Sequence, residues 1–238
     1  QLLYIKSALH AREALSHRLA AHAGRDEVPA PDTVPPLTPG QCREIATGIG
    51  RELAHRAIRA ETNRSATWVS FEFMEQAGRY ELLPMGYRLY EGITGPALFL
   101  SALAAETGDD DFRYLAEASL FSLREGLRNA PAKITAEIGL GAGMGVGSIL
   151  YALTRIAAYV DLPGLRADAQ LAAAQINAET IARDRRHDVL FGSAGALLTL
   201  LAAPGLEPEA AWRGRLIACG EHLLRQRVPT KSGHRAWP

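Results

Sequence analysis

From Tyr90 onward the chain alternates between two kinds of segment. PALFLSALAA, SILYALTRIAA and ALLTLLAA are almost free of charge, whereas DDFRYLAEASLFSLREGLRN, LRADAQLAAAQINAETIARD and PEAAWRGRLIACGEHLLRQR carry charge on one face at helical spacing. A helix apolar on every side must be surrounded, and a helix with one polar face must lie outside. The alternation therefore predicts an all-α fold of inner and outer helices, in pairs that recur every 50 residues or so. Such pairs stack as an open solenoid or close into an α/α toroid. Each uncharged segment opens on glycines: Gly92 and Gly95, Gly145 and Gly147, Gly192 and Gly195. Their repetition at matching places puts them at the mouth of a common cavity, where helix N-termini present unpaired amides and partial positive charge. Tight packing between helices is the alternative reason for glycine at each of these positions.

The pattern is different before Tyr90. Residues 26–40, DEVPAPDTVPPLTPG, hold five prolines and read as a linker behind a short amphipathic helix. A helix capped by Thr38, with Pro39 at its first position, follows. Aromatic and β-branched residues then form two runs around Ala77-Gly78, which predicts a short β-hairpin near residues 66–83. Residues 1–40 thus read as a helix and linker from an upstream domain, and residues 41–238 as one domain. The long apolar run from Val189 to Leu206 approaches the length of a membrane span. However, Gly192, Ser193, Gly195, Pro204 and Gly205 interrupt it, so no membrane span is expected.

Composition narrows the function classes. The chain has 26 basic and 26 acidic side chains and a formal net charge of zero, which offers no broad field for nucleic acid or an anionic bilayer. The two cysteines, Cys42 and Cys219, have no CxxC or Cys/His spacing, so neither a disulfide framework nor a zinc finger is indicated and a reducing cytoplasm fits. The first residue is Gln1, and the chain is expected to be a piece of a longer protein. The Asn63-Arg64-Ser65 triplet has the form of a glycosylation acceptor, but no secretion signal accompanies it.

LYEGITGPALFLSALAAETGD, GLGAGMGVGSILYALTRIA and HDVLFGSAGALLTLLAA, in that order and spacing, resemble the first three inner-helix motifs of the lanthionine synthetase C-like cyclases. The preceding ATWVSFEF and RYELLPMGYRLYEG resemble the start of the C-terminal cyclase domain of class II lanthipeptide synthetases. The likeness runs from about residue 41 to 238. It implies an α/α toroid around a central zinc, of which this chain would hold roughly half, and an upstream dehydratase domain as the neighbour of residues 1–40. The implied reaction adds cysteine thiols of a precursor peptide to dehydroalanine or dehydrobutyrine, forming thioether (lanthionine) rings. The implied zinc is held by two cysteines and a histidine in later motifs, so its ligands are expected beyond residue 238 and no metal ligand is assigned within this chain. The fragment alone is expected to be inactive.

The motif match DVxxGxAG falls on Asp188, Val189, Gly192, Ala194 and Gly195, and it implies acid/base or orienting work for Asp188. Asp is also a favoured helix cap, and capping and chemistry are compatible. Cys219 and His222 share a helix face through their spacing of three, but they belong to an outer-type helix; a buried thiol and a surface histidine is the reading preferred over ligation. Cys42 and His187 are read as structural. Arg183, Arg185 and Arg186 are read as a solvated helix end with a lesser possibility of peptide docking, and Tyr90, Glu91, Met144, Trp212 and Trp237 as packing or rim residues. Two other functions stay open: an α/α-barrel enzyme acting on carbohydrate, which would gather acidic and aromatic residues at helix mouths, and a non-catalytic helical module that binds a peptide.

Overall fold

The computed structural model describes residues 35–62, 64–74 and 78–237. The helix and most of the proline-rich linker expected before residue 35 lie outside the described residues. The chain divides into two compact units, Gln1–Glu44 and Ile45–Pro238. At the end of the first, Thr38 begins helix α1 (Pro39–Arg56) as expected. Its Oγ1 accepts from the Gln41 N–H at 3.3 Å while the Gln41 side chain accepts from the Thr38 N–H at 2.9 Å, a reciprocal capping box.

The second unit contains the expected hairpin, made of β3 (Val69–Met74) and β4 (Arg79–Pro84) after a two-residue pair, β1 (Ile58–Arg59) and β2 (Ala66–Thr67). Of the turn between β3 and β4, Ala77 is outside the described residues and Gly78 has a φ of 61°, a left-handed conformation that favours glycine. The helices follow as α2 (Thr94–Thr107), α3 (Asp110–Asn129), α4 (Pro131–Ile138), α5 (Val146–Tyr159), α6 (Leu165–Ala174), α7 (Ala178–Arg183), α8 (Ser193–Ala202) and α9 (Glu209–Arg225). Inner helices α2, α5 and α8 pack in sequence, α2 on α5 and α5 on α8, and each also packs on its own outer partner, α3, α6 or α9. This is the two-layer arrangement that the charge alternation requires, as part of a helical toroid with a few short antiparallel strand pairs.

Burial follows position in the row. In α5, which has inner neighbours on both sides, Val146, Ile149, Leu150, Ala152, Leu153 and Ile156 are wholly inaccessible. In α8, Ala196 and Leu200 are equally buried, yet Leu198 and Leu201 are 50% and 58% exposed, because one flank of the helix has no neighbour among the described residues. The outer helices turn Leu115, Leu120, Leu123 and Leu127 of α3, and Leu165, Ala169 and Ala172 of α6, toward the inner row.

Two expectations are corrected. The second outer segment does not form one helix: Asn177 interrupts it, its side chain accepting from the N–H groups of Glu179 and Thr180 while the Thr180 hydroxyl oxygen accepts from the Asn177 N–H. An Asn that can cap a new helix outcompetes the continuation of the old one. Nor is the chain helical throughout after Tyr90, for β5 (Val228–Pro229) pairs with β6 (Arg235–Ala236) around a turn where Gly233 has a φ of 82°.

A buried ion pair fixes two outer helices to each other. Asp168 of α6 is 1% exposed and accepts from Arg124 Nε at 2.6 Å, from Arg128 Nε at 2.9 Å and from Arg128 Nη2 at 3.0 Å, both arginines belonging to α3. The hydrogen bonds to Asp168 push the Arg128 guanidinium pKa above its usual value, against the opposing effect of burial. Replacing Asp168 by Ala leaves Arg124, itself 12% exposed, without its carboxylate. Urea unfolding of Asp168→Ala is expected to show a loss of about 3 kcal/mol; a loss well below about 1 kcal/mol would mean that the pair behaves as a surface bridge.

Candidate functional site

The starts of the three inner helices lie side by side, joined by main-chain hydrogen bonds. Tyr90 N–H donates to the Gly143 carbonyl at 3.1 Å, which links the first repeat to the second. Gly141 N–H donates to Phe191 O at 2.8 Å, Ala142 N–H to Val189 O at 2.9 Å, and Gly143 and Met144 N–H both to Leu190 O, linking the second to the third. Loops that exchange hydrogen bonds this closely leave no room for side chains between them. A Cβ on Gly195 would stand 2.0 Å from Val189 O and 2.3 Å from Ala142 N, and one on Gly141 would stand 2.0 Å from Leu190 O. At Gly92, Gly145 and Gly192 a Cβ would likewise meet backbone within 2.4 Å, while Gly95 and Gly147 are a little less tight. Close backbone approach thus accounts for glycine at all six positions, and the structure places them at the adjacent N-termini of α2, α5 and α8.

None of these three helices has a side-chain cap from its own N-cap residue, Ile93, Gly145 or Gly192. Instead, α8 is capped from a distance. Asp184 Oδ2 accepts from the Ser193 N–H at 2.8 Å and from the His187 N–H at 3.4 Å, and Oδ1 accepts from the Arg186 N–H at 3.1 Å. Burial acts to raise the Asp184 pKa, but hydrogen bonds from Ser193, Arg186 and His187 outweigh it and hold the carboxyl below the usual range. Asp188 caps something else. Its Oδ1 accepts from the Phe191 N–H at 2.8 Å, closing the turn just before α8, and the residue is exposed beside exposed Val189 and Leu190. That turn is held by its backbone carbonyls, at Val189, Leu190 and Phe191, to residues 141–144 of the preceding repeat.

Beneath the turn lies a cluster that the sequence does not announce. His187, in the left-handed region at a φ of 60°, is 5% exposed, and its ring centroid lies 5.5 Å from that of His222, which is 3% exposed on α9. The expected surface histidine is therefore a buried one. Trp212, Cys219 and His222 form the buried face of α9, and this face turns toward the mouth of α8 rather than away from it. Asp184 completes the group: one ligand atom from each of Asp184, His187 and His222 lies within 4.8 Å of the others. Cys219 is buried as expected, and burial together with the Asp184 charge pushes its thiol up to about 11, so it stays protonated and inert near neutral pH. Cys42 is exposed.

The remaining predicted rim residues divide by burial. Met144 is buried, and Trp212 is buried with its Nε1 donating to Leu200 O of α8 at 3.1 Å. Tyr90, Glu91 and Trp237 are exposed, Trp237 Nε1 donating to Leu223 O at 2.8 Å. Arg183, Arg185 and Arg186 are exposed; Arg183 pairs with Glu179, Arg185 donates to Ala182 O at the end of α7, and Arg186 lies over the Phe191 ring.

The family model for lanthionine synthetase C-like proteins matches residues 84–230, which include all three inner-helix starts and more than half of the chain. The chain belongs to that family. Membership supports a cyclase function of the lanthionine synthetase type. No curated protein matches the chain. No helix among the described residues is long and apolar enough to cross a membrane.

Burial also gives His222 a pH dependence. Desolvation holds the His222 pKa below its usual value, helped by His187 and Arg225, and the Asp184 charge and carbonyl only partly offset this. The unfolded chain therefore takes up the proton first, at its ordinary value near about 6.5, and stability falls as the pH drops through that value. In chelator, the wild-type chain is expected to melt at a lower temperature at about pH 5 than at about pH 7.5, and His222→Gln to flatten the difference. An equal difference in wild type and His222→Gln would show that His222 titrates as it does in the unfolded chain.

Proposed function

We propose that this chain serves lanthipeptide biosynthesis, as part of the cyclase that closes thioether rings in a dehydrated precursor peptide. The observation that carries the reading is the family match over the three joined inner-helix mouths, together with an exposed carboxylate, Asp188, on the turn they clamp. In the reaction, a cysteine thiol gives up its proton, its sulfur bonds to the β-carbon of dehydroalanine or dehydrobutyrine, and the double-bond electrons move toward the neighbouring carbonyl. The resulting enolate takes a proton at its α-carbon. Asp188 suits two tasks in this sequence, orienting the peptide through hydrogen bonds and exchanging a proton with the reacting groups. The turn that carries it is fixed by backbone hydrogen bonds to residues 141–144 and by the Asp188 carboxylate's own bond to the Phe191 N–H, so the carboxylate is held in place before the peptide arrives.

The resemblance also implies a zinc held by two cysteines and a histidine. The three-donor group that the described residues form contains no cysteine, so these residues do not fit that zinc. A zinc with ligands outside this chain remains part of the reading for the complete protein. So do a class II architecture, with a dehydratase domain upstream of residues 1–40 and a cyclase domain from residue 41, and a cytoplasmic location.

Asp188→Asn in the complete enzyme separates capping from chemistry, because the Asn side-chain oxygen still accepts the Phe191 N–H. The variant is expected to keep its melting temperature and to slow ring formation on a dehydrated peptide by about 100-fold, as followed by mass spectrometry after thiol alkylation. An unchanged rate would reduce Asp188 to a turn cap.

A further inference from the structure

Three of the four ring nitrogens of the buried pair His187 and His222 have no protein partner. Both ring nitrogens of His187 and Nε2 of His222 are buried without a hydrogen bond. Buried polar atoms in a folded protein are almost always satisfied, and these two rings face each other at 5.5 Å with a carboxylate beside them. A cation between them would take one lone pair from each imidazole, and the Asp184 carboxylate would offset part of its charge.

We propose that Asp184, His187 and His222 form a binding site for a divalent metal ion of the zinc class. Two imidazole nitrogens and one carboxylate oxygen are the mixed donors that zinc accepts, whereas magnesium and calcium prefer sites built of oxygen alone. The donor atoms already lie within 4.8 Å of one another, and bonds of roughly 2 Å to one ion would require them to draw closer by side-chain rotation. Asp184 is oriented in advance by the N–H groups of Arg186, His187 and Ser193, which act as the outer shell that a ligating carboxylate requires. This site contains no cysteine and is distinct from the two-cysteine, one-histidine zinc that the family resemblance implies. Its role is positional. Donors from the 184–187 loop and from α9 would be joined by one ion, which ties the outer helix to the segment that begins α8 and carries Asp188.

The test uses the 238-residue chain, stripped of metal with chelator and titrated with zinc chloride by calorimetry and with cobalt(II) by absorption. Wild type is expected to bind one equivalent, to gain about 5 °C in melting temperature, and to give a tetrahedral cobalt spectrum without a sulfur-to-metal band. His187→Ala, His222→Gln and Asp184→Asn are each expected to weaken zinc binding by about 100-fold. Cys219→Ser, Cys42→Ser and His234→Ala should leave binding intact. Circular dichroism of each metal-free variant checks folding, and His222→Gln keeps the side-chain volume at the packed position. No stoichiometric zinc uptake by the folded wild-type chain would overturn the proposal, as would equal uptake by His187→Ala/His222→Gln, or a strong sulfur-to-cobalt band lost in a cysteine variant. Ring formation is not read in any arm, so the outcome is independent of the function proposed for Asp188.

Discussion

The structure depends on main chains meeting at van der Waals contact where the inner helices begin. Gly141, Ala142, Gly143 and Met144 donate to carbonyls of Val189, Leu190 and Phe191, and Tyr90 donates to Gly143, so main-chain bonds join three consecutive repeats. Such bonds have short reach and fixed direction. They hold the loops to a spacing at which a single methyl group on Gly141 or Gly195 would overlap a neighbouring carbonyl. Once the loops are registered, the helices behind them have little freedom: α2, α5 and α8 fall into a row, and the fully buried Ile149, Leu150 and Leu153 fill the space on both sides of α5.

The outer layer is tied by side chains instead. Asp168 receives both Arg124 and Arg128 between α3 and α6, and Arg215 of α9 reaches Glu207 and the Ile176 carbonyl that follows α6. Trp212 then links α9 to the Leu200 carbonyl of α8. These contacts run through side chains that reach from one helix to the next. Each also carries a cost if one partner is lost, because a buried charge or indole N–H needs its acceptor. The inner seam sets register by shape; the outer seam sets it by satisfied polarity.

Both kinds of constraint meet between residues 184 and 195. Asp184 supplies the cap that Gly192 cannot, Asp188 closes the turn that the preceding repeat grips, and His187 turns inward toward α9. A helix N-terminus favours negative charge nearby, and here two carboxylates share that region with different surroundings. One is drawn into hydrogen bonds to three backbone N–H groups, while the other stays exposed on the surface of the turn. The division lets a single loop combine a structural anion with one left accessible to a peptide.

The alternation of uncharged and amphipathic segments was enough to foresee a two-layer helical repeat, since burial on every side and burial on one side leave different periodic signatures, and the aromatic and β-branched runs were enough to foresee the hairpin before it. The three glycine-led motifs were enough to identify the family resemblance and to single out Asp188. What the pattern could not show were contacts between residues far apart in sequence. His222 sits on an outer helix with the spacing of a surface residue, and only the way α9 packs on α8 brings it to His187 and Asp184. Asp184 itself was hidden in RDRRHD, where a carboxylate among arginines reads as a solvated helix end, and its role as a cap nine residues ahead of Ser193 has no local signature. The break at Asn177 turned on a local choice between two hydrogen-bonding patterns of similar strength. Periodicity reports how much of a side chain is covered; which groups cover it is decided only when the chain closes on itself.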